Sequence, residues 1–227
     1  MAVLEVEGLA KTFGSGELAV RALHDTSLSL DAGELVALTG PSGSGKSTLL
    51  LCASLIEEPS AGRIVVNGRE IWRDGPLGLD ARRFRRENIG FIFQGHNLIP
   101  FLTAAENVAL ALELNGAPAR AARARAREIL DYLGVGHRAR SLPANLSGGE
   151  RQRIAIARAL ANEPPIIFAD EPTAALDTER GMKVMALLRR IAREKRSAVI
   201  VVTHDQRMIE GFDSVYVMED GGIRRSA

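Results

Sequence analysis

The sequence predicts an α/β fold: a mainly parallel sheet with flanking helices, joined to an N-terminal antiparallel β subdomain and an inserted α-helical subdomain. Three observations predict it. The glycine-rich segment Gly40-Pro41-Ser42-Gly43-Ser44-Gly45-Lys46-Ser47-Thr48 lies between the apolar run Leu35-Val36-Ala37-Leu38 and the helix-like Thr48-Leu49-Leu50-Leu51. That is the strand–loop–helix order of a phosphate-binding turn, and it fits G-x-x-x-x-G-K-[ST] without mismatch. The runs Ile166-Ile167-Phe168-Ala169 and Ala198 to Val202 have no polar interruption, as strands covered on both faces require. Finally, hairpin signals precede this alternation, whereas residues from about 95 to 160 read as mostly helical.

Each element follows in order. Val3 to Val6 alternates as a strand, and Val20-Arg21-Ala22-Leu23 and Thr26-Ser27-Leu28-Ser29-Leu30 read as further strand material. Asp31-Ala32-Gly33-Glu34 is a turn. Arg63-Ile64-Val65-Val66 and Glu70-Ile71-Trp72 flank Asn67-Gly68, a strong two-residue hairpin signal. Ile89 to Phe93 is a strand. Thr103-Ala104-Ala105-Glu106 is a capping box that opens a helix to about Leu114. Pro118 opens a second helix that Gly134 stops after about Leu133. Its Arg120, Arg123, Arg125 and Arg127 suit a solvated face, or a phosphate or lipid-headgroup patch. A helix covers about Gly148 to Ala161, and a long amphipathic one about Asp177 to Glu194. Val215 to Met218 and the residues after Gly221-Gly222 suggest a closing hairpin.

Composition excludes several classes. The chain has 227 residues, 46% of them hydrophobic, enough for a sizeable core. A formal charge of +1, from 29 basic and 28 acidic residues, argues against a general nucleic-acid binder. The single Cys52 rules out an intrachain disulfide framework and suits a reducing cytosol. No stretch reaches the ~18 apolar residues of a membrane span, and the N-terminus lacks a basic segment before an apolar block. Action at a membrane would therefore go through a partner.

The chemistry-bearing residues sit at strand ends. In the loop, glycines let successive N–H groups point inward at anionic oxygens, and the following helix adds partial positive charge there. Lys46 can reach the β- and γ-phosphates of a nucleoside triphosphate, and Ser47 can offer its hydroxyl to Mg²⁺. Asp170 and Glu171 follow the strand that ends at Ala169. Asp170 suits Mg²⁺, directly or through water, and Glu171 suits a general base for the attacking water. His204 ends another strand and could contact the γ-phosphate or that water, although a lone histidine there also suits a plain surface. The amide of Gln94 is a possible ligand for Mg²⁺ or water. Ligands bind at the carboxyl ends of parallel strands, so these residues belong to one sheet edge. Leu146-Ser147-Gly148-Gly149-Glu150 has a different character: Ser147 and Glu150 form a capping box, and the two glycines leave a second bare helix tip. It reads as an ordinary capped helix, or as a tip that faces the phosphates of another subunit in a twofold dimer.

On these residues the chain resembles the ATP-binding-cassette ATPases over essentially its whole length: Gly40 to Thr48, Gln94, Leu146 to Gly149, Asp170-Glu171, Ala175-Leu176-Asp177 and His204 occur in that family's order. The resemblance implies a P-loop NTPase core and a single nucleotide-binding domain over residues 1–227, with the helical subdomain within about 95–160. It implies ATP and Mg²⁺ as ligands, a homodimer formed on ATP binding, and a separate transmembrane permease subunit, with no nucleic acid. Ser147, Gly148 and Gly149 would contact the γ-phosphate of the other copy. Glu171 would be the base, His204 the switch histidine, and Gln94 the Mg²⁺-linked sensor of the membrane partner. Asp177 would lie in the loop that crosses the dimer interface, and Phe13 would stack on adenine, unless it is a core or strand-end aromatic.

Within the family the chain is similar to the MacB/LolD-type subgroup, with its DevA-like exporters, at Val20 to Leu23, Asn88 to Gln94, Asn97 to Pro100 and Leu102 to Val108. That favours a peripheral subunit on the cytoplasmic side of the inner membrane, powering export or extraction of an amphiphile. An FtsE-like mechanotransmitter is the alternative with the same engine; a DNA- or ribosome-directed ATPase would need coiled coils or two cassettes. There are departures: Ala174 stands where glycine is common, Glu150 where many members have glutamine, and Cys52 to Ile56 lacks a usual glycine.

Overall fold

Two sheets and six helices carry the architecture in a computed structural model that describes residues 2–226. Strands β1 (Ala2–Phe13) and β2 (Val20–Asp31) lead into β3 (Leu35–Thr39), and the phosphate-loop segment then opens α1 (Lys46–Ala53). The hairpin β4 (Ala61–Val66) and β5 (Arg69–Arg73) follows, then α2 (Ala81–Asn88) and β6 (Ile89–Ile92). Helices α3 (Ala104–Leu114), α4 (Ala119–Tyr132) and α5 (Gly148–Leu160) come next. The chain closes with β7 (Ile166–Asp170), α6 (Thr178–Lys195), β8 (Ala198–Val202), β9 (Ser214–Glu219) and β10 (Gly222–Arg225).

The first sheet is antiparallel, in the order β2-β1-β4-β5. The second has the order β10-β9-β3-β8-β7-β6; all its pairings are parallel except that of β9 with β10. Side chains alternate across a strand, and here they divide between two cores. Ile167, Ala169, Val199 and Val201 join a cluster with α3, α4, α5 and α6. Ile166, Phe168, Ala198, Ile200 and Val202 join another with α1, α2 and the antiparallel sheet. Every residue of β8 is buried, which explains its uninterrupted apolar run. Burying one such side chain contributes about 2 kcal/mol.

Local differences from the sequence reading have physical causes. The two early strand pieces are one strand, β2, bent where Asp25 takes a left-handed φ of +48° and the register with β1 shifts. The first strand runs on to Phe13 past Gly8, at φ +58°. Helix α2 left no readable signal: Phe84 is its one buried residue, so no apolar period is visible. Asp80 starts it, with its carboxylate accepting from the Arg82 and Arg83 backbone N–H groups at 3.0 Å each.

Candidate active site

The carboxyl ends of β3, β8, β7 and β6 are neighbours in the sheet, so the segments after them meet at one edge. After β3 the chain turns through Gly40, Gly43 and Gly45, all at positive φ. A Cβ at Gly40 would fall 2.1 Å from the Met218 carbonyl oxygen, and one at Gly45 2.5 Å from that of Ala22. Both positions therefore require glycine. Pro41, Ser42 and Gly43 are exposed, Ser44 is buried, and Gly45 caps α1, within which Lys46, Ser47 and Thr48 form the first turn.

The Lys46 ammonium curls over this loop and donates to the Gly40 and Pro41 carbonyls at 3.0 and 2.6 Å and to Ser44 Oγ at 3.3 Å. Burial lowers its pKa, against the upward pull of Glu171 and Asp170. Ser47 Oγ donates to Asp170 Oδ1 at 3.1 Å. Burial raises the Asp170 pKa, a shift the Ser47 hydrogen bond opposes and the nearby Glu171 charge reinforces. Hydroxyl and carboxylate oxygens side by side suit a hard cation such as Mg²⁺, which takes few protein ligands and completes its shell with phosphate and water. Among the described residues no cluster of three or more His, Cys, Asp or Glu forms an all-protein metal cage.

Glu171 follows β7 directly, in the left-handed region at φ +46°, and its N–H donates to the Val202 carbonyl of β8 at 3.1 Å. That backbone costs on the order of 1 kcal/mol for a residue with a Cβ. The turn aims the carboxylate between two neighbours. Gln94 Nε2 donates to Oε2 at 3.2 Å, and His204 Nδ1 lies 3.3 Å from Oε1. The turn carrying His204 is itself fixed: Thr203 N–H donates to the Leu38 carbonyl at 3.2 Å, and Asp205 caps the next turn through Arg207. That arginine holds the Asp205 carboxyl at about 2. Lys46, Ser47, Gln94, Asp170, Glu171 and His204 thus come from four segments into one connected group.

Five candidates make their contacts elsewhere. Ser147 caps α5: its Oγ accepts from Glu150 N–H at 3.3 Å, and Glu150 Oε2 accepts from Ser147 N–H at 2.8 Å. The tip is not open all round, because a Cβ on Gly148 would reach Leu176 at 3.6 Å and one on Gly149 would reach Arg180 at 3.9 Å. Asp177 caps α6, accepting from Arg180 N–H at 2.9 Å. Phe13 is 41% exposed, with the Lys11 ammonium 4.7 Å from its ring centroid. It pairs with Val20, two residues before the Ala22 carbonyl that borders Gly45, and belongs to neither buried core. Sequence reasoning missed Arg158, which binds the turn after Gln94. An arginine inside Ile154-Ala155-Ile156-Ala157-Arg158-Ala159-Leu160, where all the others are buried, was the available signal.

The protein-family description "ABC transporter" matches residues 23–174. An uncharacterized ABC transporter ATP-binding protein of Thermotoga maritima is 42% identical over 221 residues, covering 97% of this chain and 93% of that protein. The lipoprotein-releasing system ATP-binding protein LolD of Gluconobacter oxydans is 44% identical, covering 97% of this chain and 94% of its own length. The macrolide export ATP-binding/permease protein MacB 1/2 of Paracoccus denitrificans is 43% identical, over 97% of this chain but 33% of that longer protein. Among solved structures, an ATP-binding cassette dimer in a post-hydrolysis state, bound to ADP and Pi, superposes with a TM-score of 0.88 at 38% identity, covering 98% of this chain and 97% of that one.

Proposed function

The chain belongs to the ABC transporter family and is an ATP-binding cassette ATPase; from that premise we propose that it powers export, or extraction of an amphiphile from the outer leaflet, through a separate transmembrane subunit of a bacterial transporter. No helix among the described residues is long and apolar enough to cross a membrane; the proposed seat is peripheral, on the cytoplasmic side of the inner membrane. The names LolD and MacB among its relatives support the substrate direction. The membrane subunit would dock on the segment between Gln94 and Asn107.

The observation that carries the catalytic reading is the Glu171 carboxylate, held between Gln94 and His204 one residue beyond the Asp170 that meets Ser47. In this reading the γ-phosphate takes over the donors of Lys46 that now serve the Gly40 and Pro41 carbonyls. The phosphate oxygens are anionic and the carbonyls neutral, so the ammonium gains direct Coulomb attraction in the exchange. Ser47, Asp170 and Gln94 would hold Mg²⁺, which neutralises developing charge on the phosphates. Glu171 accepts a proton from the attacking water as its oxygen bonds to the γ-phosphorus and the bond to the β–γ bridging oxygen breaks. His204 orients Glu171 and meets the γ-phosphate. Phe13 offers its exposed face to adenine. Positioning and charge stabilisation supply most of the rate.

Two copies would close head to tail, each presenting Ser147, Gly148 and Gly149 to the triphosphate on the other, with Asp177 at the shared interface. Hydrolysis removes the phosphate that both copies hold and lets them part. Glu171→Gln tests the base: the variant should bind ATP, lose about 10²- to 10⁴-fold in turnover and accumulate an ATP-bound dimer on size exclusion. Normal turnover would remove Glu171 from the role.

A further inference from the structure

Helix α5 carries Ser147 as its cap at one end and Arg158 near the other. Arg158 Nη2 donates to the His96 carbonyl at 2.8 Å, and its Nη1 donates to the Asn97 carbonyl. Both acceptors lie in the turn that follows Gln94, and both residues are in the left-handed region, at φ +59° and +49°. Two successive residues with side chains in that conformation are strained. The turn's own backbone bonds run from His96 N–H to the Phe93 carbonyl and from Asn97 N–H to the Gly95 carbonyl, and contacts from outside the turn add to them. A guanidinium suits the task, because its rigid plane of donors satisfies two carbonyls together. Burial is the influence that lowers the Arg158 pKa, with no carboxylate pulling the other way. Even a half-buried charge that faces carbonyls is costly unless they are well placed.

Two further contacts fix the same segment. The last turn of α5 sits directly on β6: a Cβ at Gly90 would come 2.6 Å from the Ala159 carbonyl oxygen. On the other side, buried Asn107 of α3 accepts from Ile99 N–H at 2.7 Å and donates to the Leu102 and Thr103 carbonyls at 3.0 Å each. The segment is thus pinned between α5 and α3, and Gln94 at its start donates to Glu171.

We propose that Arg158 is a positioning residue for hydrolysis, which through His96 and Asn97 sets where Gln94 lies against Glu171 and ties that placement to α5. The 13 residues of α5 form a rod of about 20 Å. Movement at the Ser147 tip therefore reaches the turn after Gln94 as movement of Arg158. The inference rests on the roles proposed above for Glu171 and Gln94.

Steady-state hydrolysis of Mg·ATP by the full chain tests it in the wild type, Arg158→Met, Arg158→Lys, Gln94→Ala and the Gln94→Ala/Arg158→Met double variant. Arg158→Met should lower kcat about 10- to 100-fold while KM for ATP stays within about twofold. Arg158→Lys, which keeps the charge but lacks the rigid planar fork of donors, should fall between it and the wild type. In the Gln94→Ala background Arg158→Met should cost nothing more, because the two residues act in series. Wild-type kcat in a folded Arg158→Met, or full additivity with Gln94→Ala, overturns the proposal. If Arg158→Met fails to fold, Arg158→Lys is carried through the same comparison. Backbone amide exchange at residues 95–97 is then read beside it: faster exchange with lower kcat supports the role, and unchanged exchange with unchanged kcat overturns it. Failure of the underlying reading would look different, as normal turnover in Gln94→Ala or Glu171→Gln whatever the Arg158 variants do.

Discussion

Three residues show how single positions settle the local chemistry. Leu55 follows α1 at φ +55°, where glycine would sit without strain, and it is buried. Its apolar burial, about 2 kcal/mol, outweighs a left-handed backbone that costs about half as much. Ala174 needs no such trade. It is absent from the residues at positive φ, so its backbone does not demand glycine. Glu150 is the third departure, and the carboxylate does more than an amide would. It completes the cap of α5 and also accepts from Arg138 Nε at 2.6 Å. The Arg138 hydrogen bond, with the Ser147 backbone N–H second, holds its pKa down to about 2 from 4.5. A carboxylate lowered on folding stabilises the protein fully above its unfolded value and loses that contribution as pH falls through the folded one. Glu150→Gln should therefore cost about 1–2 kcal/mol at neutral pH. The gap between wild type and variant should close as pH falls from 4.5 toward 2, read by urea unfolding along the series. A gap that stays constant would show that the charge contributes nothing.

At the scale of elements, legibility followed pattern strength. Both capping boxes, at Thr103 and Ser147, could be read because the S/T-x-x-E spacing is itself the hydrogen-bond geometry. The Asn67-Gly68 hairpin was legible for the same reason, with Asn67 at φ +50°. Helix α2 was not, since an arginine-rich surface helix shows no apolar stripe. The packing of α5 on β6 was hidden too: Gly90 looks like any strand glycine until the Ala159 carbonyl is seen to occupy the space of its side chain. Gly90→Ala should cost about 2 kcal/mol through that overlap and lower Tm by roughly 4–8 °C. Turnover should fall as well, because Gln94 lies two residues beyond the end of β6. A variant with the wild-type Tm would show that α5 can move away freely.

For the whole molecule, the proposed engine needs two copies, and mixing experiments test that directly. Lys46→Ala removes the ammonium proposed to bind phosphate, and Ser147→Arg blocks the helix tip. Each alone should be inactive. An equimolar mixture should recover about a quarter of wild-type ATPase activity, since half the dimers would each contain one intact composite site. No recovery, with mixed dimers demonstrated by crosslinking, would mean that the tip and the loop do not share a site.

The sequence alone determined the fold class, the glycine loop, the apolar strands and the residue types at their ends. Each of these depends on a local rule: a spacing, a period or a cap. Only tertiary structure decided which strand ends are neighbours, and so that Gln94, Glu171 and His204 form one chain of contacts while Arg158, distant in sequence, holds the turn beside them. Those contacts join residues 33 to 77 positions apart, and their proximity comes from strand order and burial in two cores, which no local pattern encodes.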